Sequence, residues 1–404
     1  MPDNSQTFQR PPTQAVILAG GRGTRLHPLT RTIPKPMLEI HGKPFLGYLL
    51  DQLREQGFER ILLLLGYLPE VIRDYCGDGR RWGVTLEYSV SAVEDETGRR
   101  LKLAAPRLDP CFLLLYCDNY WPMQLKKMWP RFLAARVPAM LTIYRNADGY
   151  TKNCVRVDQD GLVAVYDKSR TVPGLQGVEI GYALLRRSAV DLVPEGNVSL
   201  EETLYGQLVR RRELLGYVTD HRYYSIGALN RLPLTHAFFA RNPTVILDRD
   251  GVINRKPPRA QYVRAWEEFA WLPGTKEAVR LLTQRGYRVI IVSNQAGIGR
   301  GLMTDSDLQQ IHARMRAEIE EAGGRIEAVY YCPHDWDEGC ACRKPRPGLL
   351  LQAQRDFSLD LTRTLFIGDD ERDARAADAA GCPSALVTDE RSLLDIVRGV
   401  VSNA

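Results

Sequence analysis

Residues 244–254 read TVILDRDGVIN, an apolar run that breaks into two aspartates two positions apart and then a glycine. A short β-branched and aliphatic run closed by glycine predicts a buried strand opening into a loop. Asp248 and Asp250 would leave its carboxyl end on the same side, because residues i and i+2 of a strand share a face. Downstream, TKEAVRLLTQRG (275–286) has helical spacing and YRVIIVSNQ (287–295) reads as strand. The alternation continues through SDLQQIHARMRAEIEEAG (306–323), IEAVYYC (326–332) and LFIGDDERDARAADAAG (365–381). Upstream, an independent alternation starts at QAVILAGG (14–21), with apolar strands at 60–65, 84–90, 111–117 and 139–145 and a helical pattern over 44–57. Two such series predict an α/β chain of two domains, the first on a largely parallel sheet. Only HAFFARNP (236–243) separates them, with no Gly/Ser or Pro-rich tract. The boundary is therefore placed near Arg241, giving a disordered tail over 1–13, a first domain over 14–240 and a second over 241–404.

The 404 residues are 44% hydrophobic and 25% charged, an ordinary globular composition. The net charge of +5 arises from 54 basic against 49 acidic residues spread along the chain. No basic stripe points to nucleic acid, whereas anionic phosphorylated substrates suit the balance. The opening MPDNSQTFQRPPTQ lacks the apolar core of a secretory signal. The most apolar run, ILLLLGYL (61–68), is far short of the roughly 20 residues that span a bilayer. Of eight cysteines, Cys76, Cys111, Cys117 and Cys154 lie among apolar residues, as buried reduced thiols do. Together these predict a cytoplasmic protein without membrane contact. Oligomeric state is not legible.

LAGGRGTRLHPLTRTIPKPML (18–38) places Gly20, Gly21 and Gly23 directly after a strand, followed by Arg25 and Lys35. Glycines let backbone N–H groups approach a polyphosphate, and the two cations balance its charge. The spacing is neither the dinucleotide fingerprint nor the P-loop. The string resembles the GGxGTRL…PKP signature of the sugar-1-phosphate nucleotidyltransferases, over about residues 14–239. The resemblance implies a Rossmann-like, GT-A-like fold and attack of a sugar 1-phosphate on the α-phosphorus of an NTP. It implies a nucleotide held by Leu18, Ala19, Gly20, Gly21, Gly23, Thr24, Arg25 and Lys35, with Arg25 and Lys35 also catalytic. By the same resemblance Asp118 binds Mg²⁺ and Lys168 stands near the sugar phosphate. Two places depart from the pattern. Ser225 occupies a position where many members carry a second metal-binding aspartate, and ETGRR (96–100) matches the family's nucleotide-reading loop only loosely.

In the second domain, paired carboxylates at a strand end can divide labour between attack on phosphorus and proton transfer, with Mg²⁺ suppressing repulsion. Ser293 and Asn294 end a strand, Lys344 lies in CRKPRPG, and Asp369 and Asp370 end another, where an open α/β sheet gathers its ligands. The set resembles the four motifs of the haloacid dehalogenase (HAD) superfamily, which implies a Rossmannoid phosphatase fold. Asp248 is then the nucleophile, Asp250 the acid/base, and Ser293 and Lys344 the phosphoryl-binding pair. Mg²⁺ falls to Asp248, the Asp250 backbone carbonyl and Asp369. LDRDGVIN, SNQAGIGRG, YYCPH and CRKPRPG resemble one branch more closely, the D-glycero-D-manno-heptose 1,7-bisphosphate phosphatases, which lack a large cap. That match adds Asn294, Gln295, Arg343 and Tyr262 to the substrate pocket. It also marks Asp370 as a departure, since relatives often have lysine there. A histidinol-phosphate phosphatase is the nearest competitor.

Cys332, His334, Cys340 and Cys342 form C-x-H-x5-C-x-C. Four soft or borderline ligands are the number a closed structural zinc site requires, whereas histidine is an uncommon iron–sulfur ligand. Both halves point to phosphorylated sugars and an NTP. The joint expectation is a bifunctional enzyme making nucleotide-activated heptose for a bacterial surface glycan such as lipopolysaccharide, with GDP as the carrier implied by the family's guanylyltransferases. The alternative is a phosphatase alone, its N-terminal domain sensing a nucleotide-sugar.

Overall fold

The structure is a computed structural model, and residues 10–240 and 242–402 are described. It divides into two compact units between Phe239 and Ala240.

The N-terminal unit is built on seven strands: β1 (Gln14–Ala19), β2 (Arg60–Leu65), β3 (Thr85–Val90), β4 (Cys111–Tyr116), β5 (Ala139–Tyr144), β6 (Val178–Arg186) and β7 (Leu214–Thr219). They lie in the order β7-β5-β6-β4-β1-β2-β3. β1 runs parallel to both neighbours, with Ala15 opposite Ile61 and Leu113. All six of its residues are buried, which is why it reads as one apolar run. β6 is antiparallel to both β4 and β5, so the sheet is largely but not wholly parallel. An apolar run carries no direction, and β6 and β7 follow long connections that hide them among loop residues. At Gly181, whose φ is +82°, the β6 register shifts against β5. A Cβ there would lie 2.8 Å from the Tyr116 ring, so only glycine lets the bulge cross Tyr116.

The C-terminal unit has β8 (Thr244–Leu247), β9 (Arg288–Asn294), β10 (Ala328–Cys332), β11 (Leu365–Gly368) and β12 (Ser384–Leu386). All pairs are parallel, in the order β10-β9-β8-β11-β12. Side chains alternate between two cores: Val245, Leu247 and Ile291 pack on one face, Ile246, Ile290 and Val292 on the other. Both faces are thus buried, as parallel sheets require. Among the helices, α1 (Asp305–Glu321) is opened by a Thr304/Asp307 capping box and α2 (Glu371–Ala380) by one of Asp370 and Asp373.

Candidate active sites

β8, β9 and β11 are neighbours, and Asp248, Ser293 and Asp369 stand at their carboxyl ends. The Asp248 N–H donates to the Ile367 carbonyl (2.9 Å). A Cβ on Gly251 would sit 2.1 Å from Asp369 Oδ2, so the DRDG turn must be glycine for the acids to converge. Lys344, 3% exposed, places Nζ 2.9 Å from Asp248 and 2.7 Å from Asp373, and donates to the Val292 carbonyl at 3.1 Å. Burial pushes the Asp248 carboxyl upward, opposed by Lys344 and reinforced by Asp373.

Asp250 has a different setting. It accepts from Arg249 (2.9 Å to each oxygen), Asn254 (2.9 Å) and Gln295 (2.8 Å). Burial would raise it, but the Arg249 charge and these donors outweigh burial and hold it below the usual carboxylate range. Arg249 is itself fully buried, with Nη1 3.3 Å from His312 Nε2. Burial, then the Arg249 charge, push His312 down to about 3, so it stays neutral and can accept that proton.

Oxygens of Asp248, Asp369 and Asp373 lie within 4.8 Å of one another, a hard-ligand set that fits a divalent cation. Lys256 reaches one of these acids and its neighbour, 2.7 Å from Asp369 and 3.2 Å from Asp370. A cavity of about 870 Å³ opens over them, reached by Asp250, Asn294, Arg343 and Tyr262. Arg343 Nη1 is buried there without a hydrogen-bond partner among the described residues.

The Cys/His quartet closes on itself. Cys332 Sγ is 3.5 Å from Cys340 Sγ, 3.3 Å from Cys342 Sγ and 3.5 Å from His334 Nδ1, and His334 Nδ1 is 3.2 Å from Cys342 Sγ. Ligands at about 2.0–2.3 Å from a tetrahedral ion stand about 3.3–3.8 Å apart, so these separations lie at the short end of the edges of such a site.

In the N-terminal unit, the glycine loop after β1 lines a cavity of about 460 Å³ with Leu18, Thr24, Arg25 and Lys35. Ala19 faces inward at 2% exposure and does not line it. An adjoining cavity of about 480 Å³ includes Lys168 and Glu179, and Arg25 and Asp118 border both. Lys35 and Asp118 are ion-paired. Ser225 donates to the Asp118 carbonyl (3.1 Å) and accepts from the Gly227 N–H (2.9 Å), offering a hydroxyl and no carboxylate. Arg100, from ETGRR, is 4% exposed and lies beneath the glycine loop. It donates to Leu65 O (2.7 Å), Ser91 Oγ (2.9 Å) and Ala92 O (2.8 Å), and a Cβ on Gly20 would meet its Cζ at 2.3 Å. Glu201, 6% exposed, joins the cavities from behind. It accepts from Thr97 (2.9 Å) and Tyr116 (2.6 Å), which line the first, and pairs with Lys168, which lines the second.

Residues 14–164 match the nucleotidyl transferase family model, and residues 341–397 the HAD-hydrolase-like model. Over 143 residues the chain is 41% identical to D-glycero-beta-D-manno-heptose-1,7-bisphosphate 7-phosphatase of Bordetella bronchiseptica, covering 35% of this chain and 79% of that one. The chain belongs to this heptose-bisphosphate phosphatase family. Another member, the D-glycero-alpha-D-manno-heptose-1,7-bisphosphate 7-phosphatase of Burkholderia mallei, is 39% identical over 158 residues, 37% of this chain and 82% of that one. The family name thus spans both anomers. A solved Bacillus anthracis structure, provisionally assigned as a glucose-1-phosphate thymidylyltransferase, covers 57% of this chain and 95% of its own at a TM-score of 0.51 and 18% identity, a likeness of fold. The chain therefore fuses a nucleotidyl transferase domain to a HAD-like phosphatase domain, both of enzyme families.

The phosphatase cavity gathers Asp248, Asp250, Ser293, Asn294, Arg343, Lys344, Asp369 and Tyr262 of the residues singled out in the sequence. One, Gln295, lies behind that surface. Gln295 is fully buried, its amide spent on Asp250 and Ser293 (2.8 Å each). Asn294 lines the cavity, yet both ends of its amide engage the Lys344 backbone, at 3.0 and 3.1 Å. Asp370 caps α2 and pairs with Lys256 and Arg372. Asp373, Arg249, Lys256 and Glu201 were not foreseen. Only Asp373 carries a local signal, as the N3 acid of a capping box.

Proposed function

We propose a bifunctional enzyme of nucleotide-activated heptose synthesis. It removes the 7-phosphate of D-glycero-D-manno-heptose 1,7-bisphosphate and transfers a nucleotidyl group, from GTP, to the resulting heptose 1-phosphate. The observation that carries the phosphatase half is the convergence of Asp248, Ser293, Lys344 and Asp369 on one cavity. Asp248 attacks phosphorus and forms an aspartyl-phosphate as the C7 oxygen leaves, while Ser293 and Lys344 hold the phosphoryl oxygens. Asp250 protonates the leaving oxygen and then draws the proton from the attacking water. Arg249 keeps Asp250 ionised in the free enzyme, so the negative charge of the arriving phosphate must raise its proton affinity for the first step. Mg²⁺ would be held by Asp248, the Asp250 carbonyl, Asp369 and Asp373, and supplies charge neutralisation between nucleophile and phosphate. The Cys/His quartet would hold a structural Zn²⁺ that orders a loop with few apolar residues.

In the nucleotidyl transferase domain, the glycine loop and Arg25 would seat the triphosphate, Lys35 would neutralise it, Asp118 would hold Mg²⁺, and Lys168 would meet the sugar phosphate. No helix among the described residues is long and apolar enough to cross a membrane, and we place the enzyme in the cytoplasm, feeding a surface glycan. Ser225 in place of an acid favours one second reading, an N-terminal domain that binds a nucleotide-sugar without turnover. Purified protein with heptose bisphosphate, Mg²⁺ and each NTP in turn separates the two. Phosphate and pyrophosphate release support bifunctionality; phosphate alone supports the sensor. Full phosphate release by Asp248→Asn would refute the nucleophile.

A further inference from the structure

The phosphatase cavity is far larger than a phosphoryl group, and beyond the acids its lining includes two large aromatics, Tyr262 and Trp336. The Trp336 indole lies within the Cys/His loop and is 43% exposed. An indole partly open to water on a braced loop offers a ligand apolar surface, since covering it is favourable.

The loop around it is held at several points. The Trp336 backbone N–H donates to Asp335 Oδ1 (2.7 Å), and the Asp335 backbone N–H to Glu338 Oε1 (2.6 Å). Arg300 places Cζ 4.7 Å from the Trp336 ring centroid and lies 3.4 Å from the Tyr262 hydroxyl. The segment carrying Arg300 is wedged between both partners. A Cβ on Gly297 would meet the Tyr262 ring at 3.0 Å, and one on Gly299 would lie 2.6 Å from the Asp335 nitrogen. Glycines in GIGRG therefore bring Tyr262, Arg300 and the Cys/His loop together, with no direct part in phosphate chemistry.

Resting on the phosphatase reading above, we propose that Trp336 is the platform on which this domain seats the sugar ring of its substrate, held in place by Arg300 and Tyr262. The C–H face of a pyranose packs on an aromatic ring, and the phosphate is then carried to Asp248. The metal-binding loop would thus serve two ends of one substrate: His334 lies two residues before Trp336, and Cys342 two residues before Lys344.

Heptose 1,7-bisphosphate and acetyl phosphate, which has no ring, separate the roles. Trp336→Ala should raise KM for the heptose substrate about tenfold or more. Its kcat, its acetyl phosphate hydrolysis and its bound zinc should stay at wild-type levels, and Trp336→Phe should recover most of the loss. Equal losses on both substrates would assign Trp336 to loop folding and overturn the proposal, as would no loss on either. Wild-type protein that cleaves acetyl phosphate but no heptose bisphosphate would refute the substrate reading itself, a result distinct from failure of Trp336 alone.

Discussion

Lys344 and Asp373 form a buried ion pair at 2.7 Å, each residue 3% exposed, and the same ammonium reaches Asp248. One cation therefore balances two acids in a place water hardly enters. Removing one member of a buried pair typically costs about 3–5 kcal/mol. Asp373→Asn should lower the melting temperature and cut phosphate release by about 100-fold or more, because it loosens Lys344 and removes a cation ligand. Steady-state kinetics beside thermal unfolding checks this. An unchanged kcat would show that Lys344 needs only Asp248.

Glu201 ties Thr97 and Tyr116 to Lys168 across the two N-terminal cavities. Hydrogen bonds to charged groups are worth about 1.5–3 kcal/mol. Glu201→Gln should therefore lower kcat/KM for the sugar 1-phosphate by about 10–100-fold, and adding Lys168→Met should cost little more. Pyrophosphate release by the two single variants and the double variant tests the link. Fully additive losses would break it.

The same cluster predicts an acid and an alkaline limit to stability. Burial opposes ionisation of Glu201, but Lys168 overrides it and lowers the carboxyl from 4.5 to about 2. Its contribution is present above pH 4.5 and is lost as pH falls through that window. Burial raises Glu179 from 4.5 to about 7, so the folded state holds its proton more tightly and stability is lost as pH rises between those values. Glu179→Gln should raise the melting temperature at pH 8 and leave it unchanged at pH 4. A stabilisation of equal size at both values would remove ionisation as the cause.

Metal analysis should find one zinc per chain. Stripping it should reduce phosphatase activity about tenfold or more even with Mg²⁺ restored, because Lys344 loses its anchor two residues away. Pyrophosphate release by the N-terminal unit should be unaffected. Normal phosphatase turnover in zinc-free protein would sever the loop from catalysis.

Asp248 and Asp250 were legible because a strand end imposes the spacing that chemistry needs, and β8, β9 and β11 because burial on both faces makes them apolar, whereas the short, partly exposed β12 was not read. Arg249 was not. As residue i+1 it should point away from its neighbours, but its guanidinium turns back onto Asp250 inside the core. Glu201 lies far in sequence from Thr97 and Tyr116, and nothing local marks it. β6 hid its direction for the same reason, since pairing partners are chosen by tertiary structure.

The parallel order β10-β9-β8-β11-β12 starts at the centre and is filled outward on both sides. Asp248 leaves the ribosome early in its domain, whereas Asp369 and Asp373 emerge near the end. Until β11 docks beside β8, the nascent chain presents Asp248 without Asp369 and Asp373. The phosphatase cavity is thus closed only once β11 has docked, after the whole N-terminal unit has been synthesised.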